Sequence, residues 1–371
     1  GSLTVASYNL GLALNGVAYT NERLVANEEL LQEYDSDVLC MQEIWLPEQV
    51  EGITQALQPN YPHIYTVEPE QVFSGVAACT MEEVAGFADC SREQCPGLTD
   101  SELVACAPVQ CAAFIPELSP TCFEGVVGAV GLPGITVDSL VETVTQPTGK
   151  FAYGGSLGLM LAAKYPLKNR EFQDFIDDSS GFHRGALYAE VTVRNETQVV
   201  GCTHTTANLS DTIPYPATGK YGSWEAENRF MQEQTIAYVN RKAGDRPVFF
   251  GGDFNCSIAN ASNAVDAEYA ANCQLWLDEG FVDPAGEQLP CTFCYSENSI
   301  LMAEGGSGDT LLDHVFVKNV KNSGGIVAER VFDDQVPIEA LVPPAELQPE
   351  DSPMMTHPSD HFGVEITVKL P

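Results

Sequence analysis

The chain has 371 residues, 44% of them apolar, which is enough for a large core in one or two domains and too much for a disordered polymer. Asp and Glu number 52 against 17 Lys and Arg, giving a net charge of −35; that field repels nucleic acid, whose binding relies on Lys and Arg neutralising phosphates. No apolar run approaches the ~20 residues that span a bilayer, and twelve cysteines, an even count, point to disulfides and an oxidising compartment.

Gly1-Ser2 reads as a remnant of cloning, so the native N-terminus and an export signal are expected to be missing. Leu3 to Leu10 is apolar and alternating, which predicts a strand. Asn21 to Tyr34 predicts a helix, with Leu24, Leu30, Leu31 and Tyr34 along one stripe. Val38 to Ile44 reads as a second, buried strand. Pro47 to Leu57 reads as a short helix with its proline in the first turn, where a missing N–H costs nothing.

From about Val67 to about Gly149 a Cys-rich segment punctuated by Gly and Pro interrupts this pattern. Cys79, Cys90, Cys95, Cys106, Cys111 and Cys122 fall at spacings of 11, 5, 11, 5 and 11, which predicts a disulfide-stapled, helical insert of open connectivity. Zinc is disfavoured, because the segment has neither a Cys-x-x-Cys pair nor a histidine. Within it, Gly125 to Val137 is weakly polar and broken by glycines and Pro133, and reads as a loop or surface-touching stretch.

Strand character resumes at Leu157 to Ala163 and continues at Ala186 to Val193 and Gln198 to Thr203. Ser223 is placed to cap a helix that runs to Lys242, with Glu225 and Glu227 at its start and Arg241 and Lys242 at its end, matching the helix dipole. Pro247 to Gly252, Leu312 to Val317 and Phe362 to Val368 read as further strands. Several strands in succession favour a layered α/β sandwich over a doubly wound sheet. Cys291 and Cys294 have zinc-pair spacing without a second half, which favours a local or partner disulfide. Asn195, Asn208 and Asn260 open glycosylation sequons, meaningful in a eukaryotic source.

Five polar groupings sit at strand ends or in the loops beside them. They are Ser7-Tyr8-Asn9, Gln42-Glu43, Thr203-His204-Thr205, Asp253 with Asn255, and the split pair of Asp313 and Asp360-His361. Asp253 and Asn255 are two residues apart at the end of an apolar strand and so share a face. Singly, each has a structural explanation: Asn9 as a turn cap, Glu43 as a solvated strand-end acid, His204 as a satisfied histidine. Together, carboxylates without cysteine suit a hard cation such as Mg²⁺, and two histidines suit acid and base work near neutral pH. His183-Arg184 could bring a cation to a phosphate. Asp309 and Asp351 are acids without an assigned place.

In the order Asn9, Glu43, His204, Asp253-Phe254-Asn255, Asp313, Asp360-His361, the chain resembles the endonuclease/exonuclease/phosphatase superfamily with its DNase I-like fold. Met41-Gln42-Glu43-Ile44-Trp45, the segment ending in Lys164-Tyr165-Pro166-Leu167, and Thr203-His204 followed by Ala207-Asn208 and Tyr215 resemble the sphingomyelinase branch. The inositol-phosphatase signature is absent, since His314-Val315 follow Asp313. The resemblance implies a four-layer α/β sandwich of two packed sheets flanked by helices, spanning 3–371, with the Cys-rich insertion at 67–149. It also implies a metal site at Glu43, Asn9 and Asp360 for Mg²⁺, with Mn²⁺ or Ca²⁺ as substitutes. His361 oriented by Asp313 would activate water. Asp253 would position that water, Asn255 would hold a phosphate oxygen, and His204 would stabilise the transition state or protonate the leaving group. Arg184 is the additional phosphate contact suggested by the residues themselves.

The expected activity is Mg²⁺-dependent phosphodiester hydrolysis by in-line attack, of sphingomyelinase C type, in a secreted, extracellular or periplasmic, monomeric protein. A DNase I-like nuclease, an enzyme of another small phosphate ester and a non-catalytic binding protein are the alternatives. The insert, with Phe114, Phe123, Val126, Val127, Val130, Leu132 and Ile135, is expected to form either a lid or membrane-touching platform beside the site or a decoration with a core of its own.

Overall fold

The computed structural model describes residues 1–67, 75–147, 157–321, 325–339 and 354–370; Gly149 and Asp351 lie outside them. Two sheets stack face to face. The first has the order β12 (Val327–Val331), β15 (Gly363–Lys369), β1 (Ser2–Asn9), β2 (Val38–Ile44), β4 (Gly158–Ala163), β3 (His63–Thr66). The second has the order β11 (Asp313–Lys318), β8 (Val248–Asp253), β7 (Glu196–His204), β6 (Gly185–Val193), β5 (Lys168–Asp174). β1 pairs with β2, and β7 with β8, in parallel; the other pairings in these sheets are antiparallel.

The layering follows from two-residue alternation. In β1, Leu3 and Val5 face the space between the sheets, while Ala6 and Tyr8 face α1 (Thr20–Glu33) and α2 (Pro47–Leu57). In β8, Phe249 faces the inter-sheet core, and Val248 and Phe250 face α7 (Trp224–Ala243) and α8 (Ala270–Asp278). The result is helix, sheet, sheet, helix, the expected DNase I-like sandwich. Cys40 of β2 and Cys202 of β7 join the two sheets through its middle. Ser223 caps α7 as anticipated, its Oγ accepting the Ala226 N–H at 3.1 Å.

The insert lies between β3 and β4 and is helical: α3 (Met81–Gln94), α4 (Asp100–Gln110), α5 (Pro120–Ala129) and α6 (Val137–Thr145). Its disulfides nest as Cys79–Cys122, Cys90–Cys111 and Cys95–Cys106. Buried residues from Ala78 to Val144 form a separate core, joined from the sandwich by Trp224.

The reading of Gly125 to Val137 as a loop or surface stretch is corrected. Gly125 to Ala129 are helical, and Phe123, Val126, Val127, Ala129 and Ile135 are buried. Gly costs about 1 kcal/mol in a helix interior, but here the glycines are enclosed on all sides, and burial of their neighbours overrides propensity. β5 was also not anticipated. It is an edge strand whose residues are exposed or half-buried, so it carries no apolar alternation.

Candidate active site

Strand register assembles the site. His204 at the end of β7 is the direct partner of Asp253 on β8, and Asp253 is in turn the partner of Asp313 on β11. Residues opposite one another project together, so three groups separated in sequence form one row. Gly185 on β6 pairs with His204 and extends that row, bringing the preceding Arg184 alongside.

On the facing sheet, β1 and β2 run in parallel and end together, with Asn9 opposite Gln42. The β2–β4 register shifts between Met41 and Ile44, and Glu43 there takes a left-handed φ of 59°. That irregularity re-aims the Glu43 carboxylate into the cleft, a common use of a bulge. Gly11 also needs its left-handed φ of 56°, because a Cβ there would sit 2.2 Å from Asp360 Oδ1.

Asp253 is the centre. Its Oδ2 accepts from Asn9 Nδ2 at 2.9 Å, lies 3.3 Å from His204 Nε2 and 3.7 Å from His361 Nε2, while Oδ1 accepts the Asn255 N–H at 3.0 Å. Burial alone would raise this carboxyl, but the two histidines and Asn9 outweigh it and hold Asp253 ionised, well below the usual range. His361 Nδ1 is 2.8 Å from Asp313 Oδ2, which also accepts from Thr292 Oγ1 at 2.7 Å. Burial opposes charge on His361, yet Asp313 and Asp253 prevail and raise its pKa well above that of an ordinary histidine.

His204 behaves in the opposite way. Burial and the adjacent Arg184 push it down to about 4, so it is neutral at neutral pH. Arg184 Nη1 lies 2.9 Å from His204 Nδ1 and can only donate, so Nδ1 accepts and the ring proton resides on Nε2, facing Asp253. Asn255, at φ 46°, gives one amide N–H to the Thr205 carbonyl at 2.9 Å and keeps its other N–H for the cleft.

The donor set fits a hard divalent cation. One ligand atom each from Glu43, Asp253 and His361 can lie within 4.8 Å of one another. Burial, and after it the negative charge of Asp360, raises Glu43 to about 7. Asp360 Oδ1 is steadied by Ser359 Oγ at 3.2 Å. Asn9 Oδ1 accepts the Gly11 N–H at 2.9 Å and has a second lone pair. Asp253 thus bridges the two histidines, and the closest group of ligand atoms contains Glu43 of the expected metal set together with Asp253 and His361, but not Asp360.

Several supporting residues carried no sequence signal of their own. Thr292 orients Asp313 from a turn closed by the Cys291–Cys294 disulfide. Asn228 and Gln232, one turn apart on α7, both donate to the Phe254 carbonyl, at 3.0 and 2.8 Å. Buried Arg23 donates to the carbonyls of Leu10, Gly11 and Pro358 and so ties the Asn9 loop to the Asp360 loop. His314, next to Asp313 but on the opposite face, lies 2.9 Å from Asp283 Oδ2 and 2.9 Å from the Cys256 carbonyl, and the Cys256–Cys273 disulfide anchors the same turn. The Cys-x-x-Cys spacing was the one available hint, and it marked a turn rather than a role.

Glu43 and Asp253 open onto a cleft of about 500 Å³. Arg184, His204, Asn255 and His361 face it, and Asp211, Asp266, Glu268, Phe293 and Tyr295 complete its wall.

Among solved structures, the chain is similar to sphingomyelinase C from Streptomyces griseocarneus at 15% identity, with 100% of each chain covered and a TM-score of 0.56. It is similar to a magnesium-bound variant of the Staphylococcus aureus beta toxin at 13% identity, again over 100% of each chain, with a TM-score of 0.56. It is also similar to D. rerio TDP2 complexed with a single-strand DNA product at 13% identity, over 99% of this chain and 98% of that one, with a TM-score of 0.51. At such identities the likeness establishes the fold. No curated protein sequence matches the chain. The endonuclease/exonuclease/phosphatase family model matches the chain from residue 6 to residue 361, and the chain belongs to that family.

Proposed function

We propose that the protein is a secreted, Mg²⁺-dependent phosphodiesterase of sphingomyelinase C type, which releases a cationic phosphorylated headgroup such as phosphocholine. The observation that carries this reading is the composition of the cleft. Its lining offers donors for a phosphate at Arg184, His204 and Asn255, together with the carboxylates of Asp211, Asp266 and Glu268 and the rings of Phe293 and Tyr295. Carboxylates and aromatic faces attract a quaternary ammonium. That acidic lining, on a chain whose net charge is −35, repels a polyanion. A sphingomyelinase C of the same fold supports the substrate reading, a beta toxin of the same fold with bound magnesium supports the metal, and six disulfides support an oxidising, extracellular setting.

Glu43, with Asn9 and Asp360, would hold the cation, which when bound supplies Lewis-acid charge to the phosphoryl oxygens and eases ionisation of the attacking water. His361, fixed through Nδ1 by Asp313, would take the proton from that water at Nε2 in its neutral form, which the charge of a neighbouring cation favours against the pull of Asp313 and Asp253. Asp253 orients the water between the two histidines. The water oxygen forms the new bond to phosphorus as the bond to the lipid oxygen breaks, and the released alkoxide is protonated from solvent. His204, neutral and protonated at Nε2, stabilises the developing charge as an N–H donor, with Arg184 holding its tautomer. Asn255 binds a phosphoryl oxygen.

The test is hydrolysis with Mg²⁺ of sphingomyelin liposomes, a soluble bis-aryl phosphodiester and duplex DNA. Release of phosphocholine in preference to DNA cleavage is expected. Cleavage of DNA alone would establish a nuclease, turnover of the soluble diester alone would remove the lipid headgroup, and inertness on all three would point to a binding protein.

A further inference from the structure

Beside the cleft lies a second cavity, of about 320 Å³, between the insert and the sandwich. Phe87 of α3, Leu103 of α4, Phe123 and Val127 of α5 and Leu140 of α6 are among its walls. Glu43 and Ser91 are its polar side chains, and the Ser91 hydroxyl is already committed to the Phe87 carbonyl at 2.8 Å. The cavity meets the catalytic cleft at Glu43, Phe182 and Leu209, which line both.

Protein interiors are close-packed, with few voids larger than a water. A void lined by apolar groups offers water no partners, and one of about 150 Å³ already takes up benzene. Here the volume reaches the lower end of ligand sites, roughly 300–1,000 Å³. Its position selects the occupant. The apolar chamber opens beside a carboxylate that faces the reacting phosphate, so the group that fills it is attached to that phosphate. Phe123, Val126, Val127 and Ile135 of the insert are buried and line this chamber, whereas Met81 and Val109 are exposed.

We propose that the insert's cavity receives an aliphatic chain on the alcohol side of the phosphodiester, so that a single lipid-like molecule is drawn into the protein with its chain among α3 to α6 and its phosphate in the cleft. The proposal rests on the phosphodiesterase reading and adds a chain-binding site to it. Affinity then grows with chain length by about tenfold for every two methylenes that leave water, and levels off once the chamber is full.

Binding of n-alkyl phosphocholines, butyl to dodecyl, below their micelle concentrations and with Mg²⁺ chelated, tests this by titration calorimetry on the full chain. The expected result is one site whose affinity climbs with chain length, with the climb flattened in Val127→Trp and Leu140→Trp. Affinity independent of chain length in the wild type overturns the proposal, as does an undiminished climb in both folded variants. The wild-type series decides alone if the variants do not fold. Adding Mg²⁺ separates the two readings. Hydrolysis without a chain-length dependence in binding leaves the phosphodiesterase and removes the chain site. A climb in affinity without hydrolysis of any member keeps the chain site and removes the phosphodiesterase.

Discussion

The sandwich and the insert hold their shapes by different means. In the sandwich, two sheets bury an apolar interior and strand pairing fixes which residues meet; the row from His204 through Asp253 to Asp313 is a product of register. Among the described residues, the insert has no strand. Three nested disulfides tie its helices around a small core and a cavity. Small units bury too little surface to dispense with such staples. The comparison teaches that sheet register supplies the precision chemistry needs, whereas staples can hold helices around an unfilled space.

The sharpest break in the comparison is catalytic. Glu43→Gln and His361→Ala in the sandwich are each expected to lower kcat by about 10²–10⁴-fold, with the far-UV circular dichroism of the wild type retained. A comparable loss of turnover from a cavity-lining insert variant acting on a short-chain diester would mean that the two regions do not divide the work as described.

Disulfide removal comes next. Loop-closure entropy makes Cys40–Cys202, which closes 162 residues, worth about 5 kcal/mol, and Cys79–Cys122, which closes 43, worth about 4 kcal/mol. Paired Cys→Ser variants followed by denaturant titration and hydrogen exchange are expected to show the first loss across both sheets and the second confined to the insert. A single shared transition in both variants would show that the insert's core is not separate.

His314 with Asp283 is a buried pair inside the sandwich. Burial opposes charge on this imidazole, but Asp283 raises its pKa above the ordinary value. A raised histidine stabilises the fold fully below the unfolded value of ~6.5, and that stabilisation is lost as pH rises through the native value. His314→Gln is therefore expected to cost about 3–5 kcal/mol in weakly acidic buffer and less in alkaline buffer. A cost that grew with pH would contradict the assignment.

The smallest effects come from matched helix caps. Thr80 caps α3 through the Glu83 N–H, and Ser223 caps α7 through the Ala226 N–H. Thr80→Ala and Ser223→Ala should each cost about 1 kcal/mol, the first seen in insert amides and the second in sandwich amides by hydrogen exchange.

The strand ends were legible in the sequence because alternation and terminal polar groups are local signals. Leu3 to Leu10 and Val38 to Ile44 announce two strands and deliver Asn9 and Glu43 to their ends. Which strands adjoin was not legible. Nothing near Asp253 says that His204 stands on one side and Asp313 on the other, since pairing joins residues about fifty positions apart. The re-aimed Glu43 depends on a register shift against β4, beyond the insert. The even cysteine spacing announced a stapled insert, but the nesting emerged only when α3 and α4 packed together, and the glycines of α5 concealed a buried helix. The tautomer of His204 required the contact with Arg184, which exists only once β6 lies beside β7.

The most direct test of the central claim is the Mg²⁺ dependence of phosphodiester hydrolysis, measured on chelator-treated wild type and Glu43→Gln with a soluble diester. The account predicts that activity vanishes with chelation, returns on addition of Mg²⁺, and in the variant stays low or demands far more Mg²⁺. Full activity in chelator, or identical Mg²⁺ curves for the two proteins, would contradict it.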